Sequence, residues 1–261
     1  MPILFTLTDD NYEEREVSIG THINENCTPD QFCTQFPKTY RFLYNDKIIR
    51  LIDTPDIGVA RGIEKDKEHF YNILSQIANY DKLHGICILL KPNSAWIEFM
   101  FKYCIKKFLA NLHKDTCRNI VFCFTNSRVT SFKPGDTFAS LKKMLESFEC
   151  NDTEIKLSRE TIYCVDNEWV RFLAACETGI EFKRNQQTYF SQSWETSVAE
   201  INRFIEHIAS VEPHLVKGTL TVNHVRHSIL KFRKPIADIT AAIQKNIFAI
   251  DEEKSKIKNR K

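Results

Sequence analysis

Three short apolar runs in the middle of this 261-residue chain constrain its fold more than any other feature. Residues 85–90 (Gly-Ile-Cys-Ile-Leu-Leu), 119–125 (Asn-Ile-Val-Phe-Cys-Phe-Thr) and 161–165 (Thr-Ile-Tyr-Cys-Val) are rich in β-branched or aromatic side chains. Runs of that length without polar alternation belong to strands covered on both faces. Helical spacing lies around and between them. Phe70, Ile73 or Leu74, and Ile77 come before the first run; Ile97, Phe101, Cys104 or Ile105, Phe108 and Leu112 follow it; Phe138, Leu141 and Leu145 follow the second. Each set traces one face of a helix. Parallel neighbours are joined by helical crossovers, so this βαβαβ order predicts an α/β fold with right-handed connections.

Upstream, residues 39–44 and 47–53 are strand-like and are separated by Asn45-Asp46, a pair that tolerates the positive φ angles of a tight turn. Downstream, residues 192–211 and 223–250 carry helical periodicity, with Pro213 and Pro235 as expected breaks. The expected architecture is a mostly parallel sheet with one antiparallel edge hairpin, followed by a C-terminal helical extension. The division falls at 1–187 and 188–261, with linkers at 177–187 and 212–219.

Composition narrows the class. With 43 % hydrophobic and 11 % aromatic residues the chain can build a real core. A formal charge of +2, from 36 basic and 34 acidic residues, gives nucleic acid no electrostatic footprint. The basic end at 254–261 follows Asp251, Glu252 and Glu253 and reads as a solvated helix end. Nine cysteines without a C-x-x-C pair support neither a disulfide framework nor a zinc ribbon, so reduced thiols and a cytoplasmic location are expected. Cys87, Cys123 and Cys164 lie inside apolar runs, where cysteine behaves as a small hydrophobe. No apolar run approaches the roughly eighteen residues of a membrane span.

Residues 49–58 read Ile-Arg-Leu-Ile-Asp-Thr-Pro-Asp-Ile-Gly. In a nucleotide switch the Asp ending such a strand holds Mg²⁺, usually through water, and a Gly three residues later admits a backbone N–H to the γ-phosphate. Asp53 occupies the first position and Asp56 the second. A strand hairpin, then Asp53-Thr54-Pro55, then helix, strand, helix, strand: this order resembles the GTPase domains of the septin-like and immunity-associated (AIG-type) branch of P-loop proteins, over about residues 1–170. The resemblance implies a G domain that binds GTP and Mg²⁺ and acts as a switch or assembly module with protein partners or further copies of itself. It assigns phosphate contacts to Thr34, Asp53, Thr54, Asp56 and Gly58. Thr34, in Phe32-Cys33-Thr34-Gln35, and Asp53 take the Mg²⁺ positions, with Thr39 as the alternative to Thr34. Base contacts fall to the loop after the next-to-last strand, at Thr125, Asn126 and Arg128, and to Asp166 after the last.

The chain departs from that pattern at several of these places. Guanine is selected by a carboxylate in N-K-x-D or T-K-x-D, whereas Thr125-Asn126-Ser127-Arg128 ends on a side chain that only donates. A phosphate loop needs G-x-x-x-x-G-K-[ST], and none of the seven glycines precedes a lysine. Residues upstream of Met1 are therefore expected to be missing. In this fold the phosphate-loop strand lies between the strand ending at Asp53 and the strand at 85–90. An unpaired buried backbone group costs about 1–3 kcal/mol, so Ile3-Leu4-Phe5-Thr6-Leu7 is expected to fill that slot or cap the sheet edge. Asp56 would repel a phosphate by about 4 kcal/mol at about 4 Å and an effective dielectric near 20.

Hydrolysis by this chain alone is not expected. Arg61 reads as a loop arginine, and His224 and His227 as a solvated helical face, because no acidic or cysteine ligand accompanies them. No G-x-S-x-G elbow is present. The reading is a degenerate or truncated GTPase-like domain, with a nucleotide-independent interaction scaffold as the alternative.

Overall fold

The three apolar runs form neighbouring parallel strands, each taking its hydrogen bonds from the next run in sequence. The computed structural model describes residues 3–8, 11–20, 34–55, 63–93, 109, 111–146 and 155–258, with only the backbone described at 63–67 and 251–258. In chain order these hold β1 (Ile3–Thr8), β2 (Glu14–Ile19), β3 (Lys38–Tyr44), β4 (Lys47–Asp53), α1 (Ile63–Ile77), β5 (Lys82–Leu83), β6 (Ile86–Leu90) and β7 (Ile120–Phe124). Then come α2 (Thr137–Glu146), β8 (Ile162–Cys164), α3 (Glu168–Glu177), α4 (Arg184–Ser210), β9 (His214–Leu215) and α5 (Val216–Lys258). The segment carrying Ile97, Phe101, Cys104, Ile105 and Phe108 lies outside the described residues.

The parallel sheet runs β6-β7-β8. Because parallel partners in register point the same way, Ile88, Leu90, Ile120, Phe122, Phe124 and Cys164 share one face. They pack with Leu141, Met144 and Leu145 of α2. Phe122, Phe124 and Leu141 are fully buried, each stabilising the unit by about 1.5–3 kcal/mol. The opposite face is covered by α4, where the Tyr163 ring meets Phe204 edge-on at 5.3 Å. The central strand β7 is thus covered on both sides, as its composition predicts. β6 is not: Cys87 is exposed, Leu89 is 67 % exposed, and among the described residues β6 pairs only with β7.

The Asn45-Asp46 turn forms as expected, both residues at positive φ (44° and 60°), and closes β3 on β4 from Lys38↔Asp53 to Tyr44↔Lys47. Among the described residues this hairpin is a two-stranded sheet of its own and not an edge of the parallel sheet. Side chains hold it in place: Gln76 Nε2 donates to Thr39 Oγ1 at 3.0 Å, and Tyr44 Oη donates to Asn202 Oδ1 at 3.0 Å.

Two expectations are corrected. Residues 3–7 do form a strand, but β1 pairs antiparallel with β2, and neither β4 nor β6 is its partner. The physical reason is local. A short link lets antiparallel strands meet at small entropic cost. The exposed Thr6 and Thr8 also suit a strand covered on one face, rather than a buried slot. Its apolar face, Ile3, Phe5 and Leu7 with Val17 and Ile19, packs on Ala174 and Ala175 of α3. The second correction is Pro235, which lies inside α5 without ending it. A proline leaves the carbonyl four residues earlier, at Lys231, without its helical donor. Both residues are exposed, so water can satisfy that carbonyl. Pro213 does mark a break, between α4 and β9.

The chain divides into two compact units, Met1–Val216 and Lys217–Lys261. The helix α4 packs on α3 and β8 and so belongs with the sheet, whereas the sequence reading assigns it to the extension. No described helix is long and apolar enough to cross a membrane.

Candidate functional site

In open α/β sheets, ligands bind outside the carboxyl ends of the strands. At the end of β7, Thr125 is fastened to β6: its N–H and its hydroxyl both donate to the Leu90 carbonyl, at 2.8 and 3.2 Å. Asn126 then turns the chain through the left-handed region, φ 55°, a conformation Asn tolerates better than most residues. Ser127 follows, fully buried, and fastens the loop to β8 by donating from N–H and hydroxyl to the Val165 carbonyl, at 3.2 and 2.9 Å. A short 3-10 turn, Ser127–Thr130, carries Arg128.

That turn aims Arg128 at Asp166. Nε lies 3.4 Å from Oδ2, and the guanidinium sits 5.6 Å from the centre of the Phe190 ring. Asp166 is 1 % exposed, and a carboxylate withdrawn from water must find donors in the protein. It has them. Ser193 Oγ donates to Oδ2 at 3.1 Å and the Glu168 N–H donates to Oδ1 at 3.3 Å. Ser197 holds the backbone, accepting from the Asp166 N–H at 3.0 Å and donating to the Asp166 carbonyl at 3.2 Å. Two of the four base-contact candidates, Arg128 and Asp166, are therefore brought together as a pair. Asn126, Val129, Asn167 and part of Arg128 are open to solvent at this edge.

A second pair lies at the end of β4. Thr34 Oγ1 donates to Asp53 Oδ2, nineteen positions further along the chain, at 3.4 Å. Thr39, the alternative, has its hydroxyl 2.8 Å from the Tyr80 hydroxyl and accepts from Gln76. Of the two threonines, the structure sets Thr34 against Asp53. Thr54 is half-buried and Pro55 buried beside it. Asp56, Gly58 and Arg61 lie outside the described residues. Among the described residues no cluster of three or more His, Cys, Asp or Glu side chains could hold a metal ion, and His224 and His227 lie exposed on α5.

Two of the thiols in this sheet are held in the unreactive form. A hydrogen bond with the Cys87 side chain, and then burial, push the Cys123 thiol far above its ordinary value, and burial pushes Cys164 up to about 12. Both stay protonated at neutral pH, and the thiol form is a poor nucleophile.

Sequence reasoning missed Ser193 and Ser197. Their signal is present in Ser193-Trp194-Glu195-Thr196-Ser197: two small hydroxyls four residues apart share one helical face. Both are 1 % exposed, and a buried hydroxyl needs a polar partner. No protein-family model matches the chain, and no similar curated protein was found by sequence.

Proposed function

We propose that the Met1–Val216 unit is a degenerate GTPase-like module that serves as an assembly scaffold and does not read a guanine base. The observation that carries this reading is the Asp166 carboxylate, 1 % exposed and bonded to Arg128, Ser193 and the Glu168 N–H. Reading guanine takes a free carboxylate that accepts from two base N–H groups. Of the four positions the resemblance assigns to the base, Thr125 is fastened to the Leu90 carbonyl, Arg128 is a cation, and Asp166 is an acid already committed inside the protein, which leaves Asn126. The GTPase-like ancestry, with a P-loop-type sheet, rests on Asp53-Thr54-Pro55 at the end of the second hairpin strand and on the strand–helix order that follows. Protein partners in a reducing, cytoplasmic setting fit the free thiols of Cys87, Cys117, Cys123, Cys164 and Cys176.

A second reading keeps a nucleotide. The 3.4 Å contact of Thr34 with Asp53 is the pairing that two ligands of one Mg²⁺ would have, so a GTP-dependent switch remains the competitor. Titrating fluorescent GTP and ATP analogues with Mg²⁺ into the purified chain separates them. The scaffold reading expects no saturable binding up to about 100 µM nucleotide. A Kd on the order of 1 µM (about −8 kcal/mol) that is lost in Asp53→Ala would replace it with the switch.

A further inference from the structure

We propose that α5 associates with further copies of this chain as a parallel, in-register coiled coil. Positions 222, 229, 236, 243 and 250, seven residues apart, are Val222, Ile229, Ile236, Ile243 and Ile250. Three residues after the first four of these stand Val225, Phe232, Ile239 and Asn246. This is an a/d heptad pattern kept over four repeats, the length at which it argues for a coiled coil. Its period decides between occupants. A helix packed on a globular surface follows its own 3.6-residue turn, and a strict seven-residue stripe drifts about 20° per repeat from that face. Over four heptads the drift reaches roughly 80°, so a straight partner surface loses the stripe. A helix that supercoils with the same period keeps it, and an identical chain has that period.

The stripe is uncovered within its own unit, whose described residues are all part of α5. Seven of its apolar residues are 50–64 % exposed. Single exposed apolar residues are ordinary on a protein surface, but a contiguous line of them marks an interface. At roughly 60–100 Å² for each of the eight apolar seam side chains, pairing buries on the order of 500–800 Å² per chain. That approaches the roughly 800 Å² per partner of a stable complex. The flanking positions allow close approach: Ser228, Ala242 and Ala249 are small, and parallel packing sets Ser228 beside Arg233 and Ala242 beside Ile247, with no like charges facing. Asn246, the only polar residue in the stripe, meets its own counterpart only when the helices run parallel and in register, which is how one polar core residue fixes alignment. The proposal is independent of the nucleotide question.

Sedimentation velocity of the full chain from about 1 to about 100 µM tests it, since a homo-oligomer's stability depends on protomer concentration. A mass that is a whole multiple of 30.5 kDa is expected for the native chain. The monomer mass is expected for Ile236→Asp/Ile243→Asp, with tryptophan emission from the sheet-bearing unit unchanged. Asn246→Ile is expected to hold the assembly at concentrations at least tenfold lower. A native chain that stays at 30.5 kDa near 100 µM overturns the proposal. So does an assembled mass that the double variant leaves unchanged, or an Asn246→Ile variant that dissociates more readily than the native chain. Lys231→Glu, outside the stripe, controls for charge and is expected to leave the mass as it is.

Discussion

Replacing Arg128 by alanine probes the internal pair at the strand ends. Asp166 is 1 % exposed, and removing its cation leaves a carboxylate that cannot turn to water. Breaking a fully buried ion pair costs about 3–5 kcal/mol. Two observations lower that figure here: the Arg128 side chain is 41 % exposed, so solvent already shares its charge, and Ser193 and the Glu168 N–H remain as donors. The expected cost is about 1–2 kcal/mol. In urea, with a slope of about 2–3 kcal/mol/M, the midpoint falls by roughly 0.5 M. Tryptophan emission is a direct probe, because Trp169 on α3 and Trp194 on α4 stand edge to face with ring centres 3.8 Å apart, on the helices that flank Asp166. The decisive comparison is a double-mutant cycle with Asp166→Asn. Once the carboxylate is gone, Arg128→Ala should cost almost nothing. Equal losses in both backgrounds would refute the account, because they would show that Arg128 contributes through packing on Phe190 rather than by neutralising Asp166.

Three further outcomes follow from the packing of the sheet. Asn119→Ala removes the donor to the His84 and Glu212 carbonyls, at 3.0 and 2.9 Å, from a residue 2 % exposed; thermal unfolding should show a loss of about 1–3 kcal/mol. Gly85→Ala places a Cβ 2.8 Å from Ile208 Cγ2 and should cost about 1–3 kcal/mol, with Ile208→Ala in the same chain recovering part of it. His214 is held below its ordinary 6.5 by burial and then by His113, with Asp115 pulling the other way. The unfolded chain therefore takes up that proton first. Stability from this group is complete above about pH 6.5 and is lost as pH falls toward the folded value. A series of urea titrations from pH 7.5 to about 5 should show that slope in the native chain and a flatter one in His214→Gln.

The parts of the fold that follow from local chemistry could be read from the sequence. The Asn45-Asp46 turn needed only residues that accept positive φ, and the three parallel strands needed only apolar runs long enough for a sheet. What escaped depends on partners distant in the chain. Residues 3–7 have strand composition, yet their pairing was decided by the one-faced cover that Ala174 and Ala175 provide. The apolar run 85–90 suggested cover on both faces, but cover depends on neighbours, and β6 lacks them on one side among the described residues. At the candidate site, the sequence showed that Arg128 cannot accept from a base. Nothing in the spacing showed that Asp166 would turn inward to meet it. That outcome required Ser193 and Ser197, brought from α4 by helix packing.

The half-bare strand β6 also bears on how the unit reaches its folded state. Among the described residues no second strand pairs with it, and its outer backbone groups, with Cys87 and Leu89 exposed beside them, can accept a strand from any chain that is still unfolded nearby. Parallel pairing forms late, because distant segments must first be gathered, so this edge stays available through much of folding. Refolding yield should then fall as protein concentration rises, a kinetic competition between finishing one molecule and joining two.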